Sequence, residues 1–449
     1  MRGKAADQWR IQLSPVDARM LRFGLRVLFV FPVPSSIAAP YSPNQVRQSF
    51  VKLIHEDIPF LIDAKRFREE KTGKLWVPSQ PGIREEHLIE IQKHQTLNGV
   101  DEVLKTTPLE LIPARSETKL LSVKCCLLID GSLVIGVNAD HCVVDAGGLA
   151  HLMKRWSEHY LGVASSNSVC FSHDRRRLFP SSPASPTISH PEYRCICHAL
   201  TQNPYSGSSV SSDATTSQHY FHLTPVQLRN LKSFAALGDE SPPFSTLDCV
   251  TALLTWLITR SRGHGSAVQV STAVNFRCRL QSPLPDHFTG NAVLPALSIH
   301  PAQDLQAARS CAGSLHFIAR RVRDSITKFD DAYIRDTISL LAAHPEPATL
   351  QPAVHFSSGP DLLFSSWRGL GMADVNFGSP PAYSGPPTLP ACDGVIIFLD
   401  QVGSQPGLDA VVFLETRAMH ELLELWRQHV EVTAFAQTPP RTCAADHTI

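Results

Sequence analysis

The chain has 449 residues, 43% of them apolar, enough for two or three domains with sizeable cores. Its 41 basic and 41 acidic residues cancel, which argues against a long nucleic-acid footprint or a polybasic membrane patch. The 11 cysteines are odd in number and scattered without a C-x-x-C pair, so a reduced, cytoplasmic compartment is expected.

MRGKAADQWRIQLSP at the start lacks the apolar run of a secretion signal. The segment LSPVDARM reads as a turn and LRFGLRVLFVFPVP as a strand. Its apolar run, Leu25–Val33, contains Pro32 and is too short to span a bilayer. Residues 44–56 read as a helix on Val46, Phe50, Val51 and Leu53. Glu85–Ile91 and Leu109–Pro113 say little. Leu120–Ile129 and Leu133–Asn138 form two strands, and Asp130-Gly131 turns one onto the other. Cys125 and Cys126 are adjacent on the first of them and point to opposite faces.

The second strand leads into HCVVDAGG and then a helix, with Leu149, Leu152, Trp156 and Tyr160 on one face. His141 and Asp145 sit at the junction, followed by Gly147 and Gly148. A strand end fixes an imidazole well. The H-x-x-x-D spacing alone does not show catalysis, because Asp145 can serve simply as a helix cap. Cys142 adjoins His141 but faces the other way on extended backbone, so a thiol–imidazole pair is not expected.

Arg175–Arg177 read as a solvated loop. Residues 163–218 are rich in Ser, Pro, Thr and Asn and read as a crossover between two halves. HYFHLTP restarts order. Thr224-Pro225 opens a helix that includes Phe234, and Ser245 to Asp248 forms a capping box before a nearly all-apolar helix. Residues 268–296 read as strand, basic cluster, proline turn and strand. Arg277 and Arg279 share one side of the first strand and call for an anion, either a carboxylate or a ligand phosphate. Residues 303–343 are helical, on Ile318, Val322 and Ile326. FSSWRGLGMADVNFGSPPAYSGPP is a wrapped loop. GVIIFLDQ and LDAVVFLE are strands, Thr416 opens a helix carrying Met419, Leu422, Leu423 and Trp426, and Thr433–Ile449 is a tail. No zinc-ligand spacing and no phosphate loop are found, and no metal is expected.

Three blocks, in order along most of the chain, resemble the BAHD acyltransferases, the HxxxD-type coenzyme A–dependent family, and its fungal trichothecene-acetyltransferase-like branch most of all. They are His141-Cys142-Val143-Val144-Asp145-Ala146-Gly147-Gly148, the stretch Asn275 to Asn291 (NFRCR, PLP, FTGN), and Ser366-Trp367-Arg368 with Asn376-Phe377-Gly378-Ser379-Pro380. The early LSPVD and the terminal LDAVVFLETRAMHELLEL also fit. The resemblance implies an α/β fold of two similar-sized mixed α/β domains with a channel between them. Residues 1–175 would form the first, 176–218 the crossover and 219–449 the second, with exchange of a segment between them open.

It further implies a cytoplasmic, monomeric O-acyltransferase that moves a short acyl group, acetyl first, from acetyl-CoA or another acyl-CoA to a small-molecule alcohol on a hydrophobic specialised metabolite. No permanently bound cofactor and no nucleic-acid partner are implied. His141 is the expected base and Asp145 the orienter of the loop and helix start. Gly147, Gly148, Asn376, Phe377 and Gly378 are motif positions. The third block departs from the family: Asn376 stands for Asp and Ser379 for Trp. In the family that Asp pairs with a middle-block arginine, so here Arg277 or Arg279 would face an amide, with Asp374 as a nearby carboxylate. Ser379, Arg277 and Arg279 are the expected co-substrate contacts, and Ser379 is the nameable oxyanion donor. The alternatives are a peptide-synthetase condensation domain using a carrier-bound thioester and a non-catalytic metabolite-binding relative.

Overall fold

The Asp130-Gly131 turn forms as its residues dictate. Asp130 Oδ1 accepts from Ser132 N at 2.9 Å, and Gly131 adopts φ 89°, a left-handed value that favours glycine. The strands on either side, Leu121–Leu127 and Leu133–Asp140, pair antiparallel. This computed structural model describes residues 10–21, 23–34, 41–61, 67–68, 75–78, 89–94, 96–114, 119–163, 171–180, 185–196, 215–237, 244–305, 311–356, 359–389, 392–400 and 406–433. The readings of the extreme N-terminus and of the tail past Thr433 lie outside them.

Two sheets organise the described chain. One has five strands in the order Tyr383–Gly385, Gly24–Phe31, Leu133–Asp140, Leu121–Leu127 and Ile89–Lys93. The other has six, in the order Val293–His300, Val268–Asn275, Leu362–Ser366, Val395–Leu399, Leu408–Glu415 and Thr216–Leu223. Mixed strands and flanking helices make this an α/β fold, as expected. Every residue of Leu133–Asp140 is buried, because the strand is central and covered on both faces.

Helix Ala146–Leu161 packs on helix Pro43–Glu56. Trp156 donates to Ser49 Oγ at 2.9 Å and stacks at a tilt on Phe50, 4.7 Å between centroids. Helix Thr246–Arg262 is capped by the predicted box at Ser245 and Asp248, and every residue from Asp248 to Thr259 is buried. It packs with Cys311–Thr327 and Thr416–Trp426 on the six-stranded sheet.

Four readings are corrected. LSPVD is a short helix, Pro15–Arg19, because Ser14 and Asp17 form a capping box and Pro15 occupies the first turn. Arg277 and Arg279 lie beyond the strand, which ends at Asn275, where the Asn275 side chain accepts from Arg277 N and turns the chain. Residues 303–343 are not one helix: among those described, the helix breaks before Asp330, which caps Asp331–Ala343. Strand Thr216–Leu223 begins inside the expected crossover.

The glycine- and proline-rich loop wraps back over the first sheet. Its Tyr383–Gly385 pairs with Leu28–Val30. Phe377 is fully buried against Phe31, Trp156 and Tyr160, with centroids 5.1 to 5.2 Å away. A segment from the second half of the chain thus completes the core of the first.

Candidate active site

Strand Leu133–Asp140 delivers His141 to the wall of a cavity of about 240 Å³. Residues from both sheets line it: Leu25 and Arg26 from one, Ser271, Val293, Leu363 and Ile397 from the other. The lining is mostly apolar, the usual character of a small-molecule pocket.

The imidazole is oriented by Asn291. His141 Nδ1 lies 3.0 Å from Asn291 Oδ1. Asn291 Nδ2 donates to Asp17 Oδ1 at 2.9 Å and to the His141 carbonyl at 2.7 Å. Both amide hydrogens are therefore used, and the amide oxygen can only accept. Nδ1 must carry the proton, and Nε2 keeps its lone pair. No hydrogen bond from Nε2 is found among the described residues. Burial lowers the pKa of His141, and the Arg19 charge adds to this. The backbone carbonyl, Asp145 and Asn291 oppose it without winning. The ring is thus neutral near pH 7, as a proton acceptor must be.

Asp17 is itself buried and held. It accepts from Asn291 N at 2.9 Å, from Ser14 N at 3.0 Å and from Arg175 Nε at 2.9 Å. Arg175 also donates to the Val143 and His173 carbonyls. Arg175 therefore departs from the solvated reading of its triplet: it is 3% exposed, while Arg176 and Arg177 remain outside.

Asp145 does not hydrogen-bond the imidazole. Its Oδ1 accepts from Gly148 N at 2.9 Å and caps helix Ala146–Leu161. Its two oxygens take a bidentate pair from Arg277, at 2.7 and 2.9 Å. Ala292 N donates to Oδ2 at 3.0 Å. Burial opposes its charge, but Arg277 and these N–H groups outweigh it and hold the carboxyl below its usual range. One residue thus ties the His141 loop to the Asn275–Ala292 turn.

This overturns the expected pairing of Arg277 with the third block. Asn376 and Asp374 are exposed, and Asn376 Oδ1 accepts from Gly378 N at 2.7 Å, closing its own turn. Arg279 donates to the Ile326 and Phe329 carbonyls, at a helix end. Ser379 donates to the Pro32 carbonyl and lies 2.8 Å from Tyr41 Oη. Neither Ser379 nor Arg279 is among the residues lining the cavity. The serines of the second sheet that do line it are Ser271, Ser365 and Ser366.

Gly148 is required where it stands: a β-carbon there would lie 2.6 Å from the Thr289 carbonyl oxygen. At Gly147 the nearest atoms would be 3.5 Å away, an ordinary contact. Glu56, Asp57 and His159 are close enough to share a cation, but Arg155 already sits on Asp57 at 3.2 Å, and none of the three lines the cavity. Sequence reasoning missed Asp17, Arg175 and the role of Asn291. The capping pattern Ser14-Pro15-Val16-Asp17 was the one available signal.

The chain matches the model of the transferase family over residues 84–428. The hydroxycinnamoyl-CoA:5-hydroxyanthranilate N-hydroxycinnamoyltransferase of Avena sativa is 23% identical over 405 residues, 87% of this chain and 87% of that protein. Among solved structures, TRI101 of F. graminearum complexed with coenzyme A and deoxynivalenol shares the fold with a TM-score of 0.74 at 17% identity, over 94% of this chain and 98% of that one. The first condensation domain of the CDA synthetase shares it more loosely, with a TM-score of 0.56 at 12% identity, over 94% and 95%. The chain belongs to the transferase family of BAHD-type enzymes, and it is an acyl-CoA-dependent acyltransferase with the coenzyme A thioester as co-substrate.

Proposed function

We propose that this enzyme transfers a short acyl group, acetyl first, from its coenzyme A thioester to a hydroxyl of a hydrophobic specialised metabolite, with His141 as general base. The observation that carries the reading is the Asn291 contact, which places the proton on Nδ1 and leaves Nε2 able to accept one. The acceptor oxygen attacks the thioester carbonyl as Nε2 takes its proton. The tetrahedral intermediate collapses, the C–S bond breaks, and the imidazolium returns the proton to the departing thiolate. Ser365, on the same side of its strand as the cavity-lining Leu363, is the hydroxyl best suited to steady the oxyanion.

Transfer is direct. Cys142 is wholly buried. Cys392 lines the cavity, but burial pushes its thiol up to about 12, so it stays protonated. The apolar wall supports a hydrophobic acceptor. The acetyl group rests on the fungal likeness of the three blocks. The Avena sativa relative, named for hydroxycinnamoyl transfer to an amine, supports a second reading with a larger donor and an N-acceptor. The odd, scattered cysteines support a reduced cytoplasmic setting, and a monomer is the expected form.

The test deletes the gene in its host and compares extracts by mass spectrometry. A free alcohol should accumulate, and purified enzyme should convert it to its acetyl ester with acetyl-CoA. Conversion with hydroxycinnamoyl-CoA alone favours the second reading. Transfer only from a carrier-bound thioester moves the chain to the condensation class, and product from none of these donors rejects the proposal.

A further inference from the structure

A charged cluster that acyl transfer does not use lies on the segment 187–196. The His190 side chain is 3% exposed between two carboxylates. Its Nδ1 is 2.9 Å from Glu192 Oε1, and its Nε2 is 3.0 Å from Asp336 Oδ2. A neutral imidazole has one N–H, so one contact would then set a lone pair against a carboxylate. Both are hydrogen bonds only when the ring is protonated.

The partners are fixed from two sides. Asp336, on helix Asp331–Ala343, also accepts from Thr187 N, Thr187 Oγ1 and Ile188 N at 2.8 to 3.0 Å. Tyr333, on the same helix, donates to Glu192 Oε2 at 2.8 Å, and its ring lies 4.9 Å from the imidazole. Thr337 Oγ1 is 3.4 Å from Nδ1. From the segment itself, Glu192 and Tyr193 face the ring's surroundings. Tyr193 in turn meets the Arg19 guanidinium of helix Pro15–Arg19 at 5.9 Å. The segment then continues as Tyr193–Cys195, which pairs with Leu350–Pro352. Arg19 and Pro352 both line the active cavity.

We infer that protonated His190 is the pin of a pH-sensitive latch that fastens the crossover segment 187–196 to helix Asp331–Ala343, beside the cavity wall. Burial opposes the charge, but Glu192 and Asp336 outweigh it and raise the pKa of His190. Asp336 is held at about 2, its bonds from Thr187, His190 and Ile188 overcoming burial, so it remains ionised throughout. A raised folded pKa fixes the sign. The latch contributes fully below the unfolded value of about 6.5 and is lost as pH rises through the higher folded value.

The test compares urea unfolding of the whole chain and of His190→Gln at ~pH 6 and ~pH 9. The ratio of their folding equilibrium constants should shrink ~tenfold for each unit by which folding raises the pKa. An equal ratio at both pH values overturns the latch. Should His190→Gln fail to fold, hydrogen exchange on the wild type decides. Protection in 187–196, corrected for intrinsic rate, should fall with pH while helix Pro225–Ala236 holds. Unchanged protection overturns it equally. Neither readout needs acyl transfer, so failure here is distinct from failure of the proposed function.

Discussion

Two buried aspartates, each against an arginine, divide the support of the site. Asp145 stands in the motif with His141, yet its bonds go to Arg277, Gly148 N and Ala292 N. Asp17 stands 124 positions before the histidine, yet it holds Asn291, which holds the imidazole. The aspartate adjacent in sequence is scaffold, and the remote one reaches the imidazole through a single amide. Nearness along the chain and nearness along the hydrogen-bond path are separate properties.

The largest effect is expected at the point both aspartates serve. His141→Ala should lower turnover by on the order of 10²–10⁴-fold, with circular dichroism unchanged. Near-wild-type turnover in a folded variant would remove the base and the comparison with it. The pH profile sharpens it further. Because burial depresses the pKa of His141, kcat/KM should hold its plateau down through the ordinary histidine range and fall only below about 6.5, as the ring takes up a proton. A limb centred above that value would place a different group in control.

Next come the aspartates themselves. Asp145→Ala strands Arg277 and uncaps a helix, and Asp17→Ala strands Arg175. Removing one partner of a buried pair costs about 3–5 kcal/mol, so both variants should melt well below wild type. Asp145→Asn should be gentler, because an amide oxygen still caps Gly148 N. If Asp145→Ala and Asp145→Asn keep the wild-type melting temperature while turnover collapses, Asp145 acts electrostatically on the reaction and the division proposed here fails.

Asn291→Ala separates orientation from scaffold. It removes the acceptor for Nδ1–H and leaves both ion pairs in place. It also removes the amide's two donated bonds, to Asp17 and to the His141 carbonyl; each unmade hydrogen bond at a buried site costs about 1–3 kcal/mol, and the tautomer is no longer fixed. The expected result is a kcat loss clearly larger than the KM change, in a variant that circular dichroism shows to be folded. A KM change without loss of kcat would show that Asn291 shapes the pocket rather than the base.

Much of this scaffold was readable from the chain, and the misses share a cause. The hairpin, the helix after Asp145 and the capped helices at Thr224 and Ser245 are local: alternation, turn chemistry and cap residues lie within one element. Arg175 was not readable, because three consecutive arginines look alike until one finds Asp17 across the fold. The helix Pro15–Arg19 is five residues long, too short for periodicity to separate it from a turn. Arg277 was read on a strand that Asn275 ends two residues earlier, and its partner lies 132 positions away. Long-range pairing carries no local signature, so the site's ionic wiring stayed hidden while its elements did not.

The smallest effect is expected where the sequence departs from its family. If Arg277 needed a carboxylate from the third block, Asn376→Asp would restore an ion pair and raise stability. The fold removes that need. Arg277 already gives both terminal nitrogens to Asp145 and further bonds to the Phe288 and Gly290 carbonyls at 3.2 and 3.1 Å. Asn376 is exposed, and its side-chain oxygen closes a turn at Gly378 N, a bond an aspartate oxygen can make equally well. What anchors the loop is Phe377 in the core beside it. Asn376→Asp and Asp374→Ala should therefore each change stability by no more than about 0.5 kcal/mol, and the double mutant by their sum, since neither touches Arg277. A marked rise in melting temperature for Asn376→Asp, cancelled in an Arg277→Gln background, would show that the loop reaches the arginine and that Asp145 shares it.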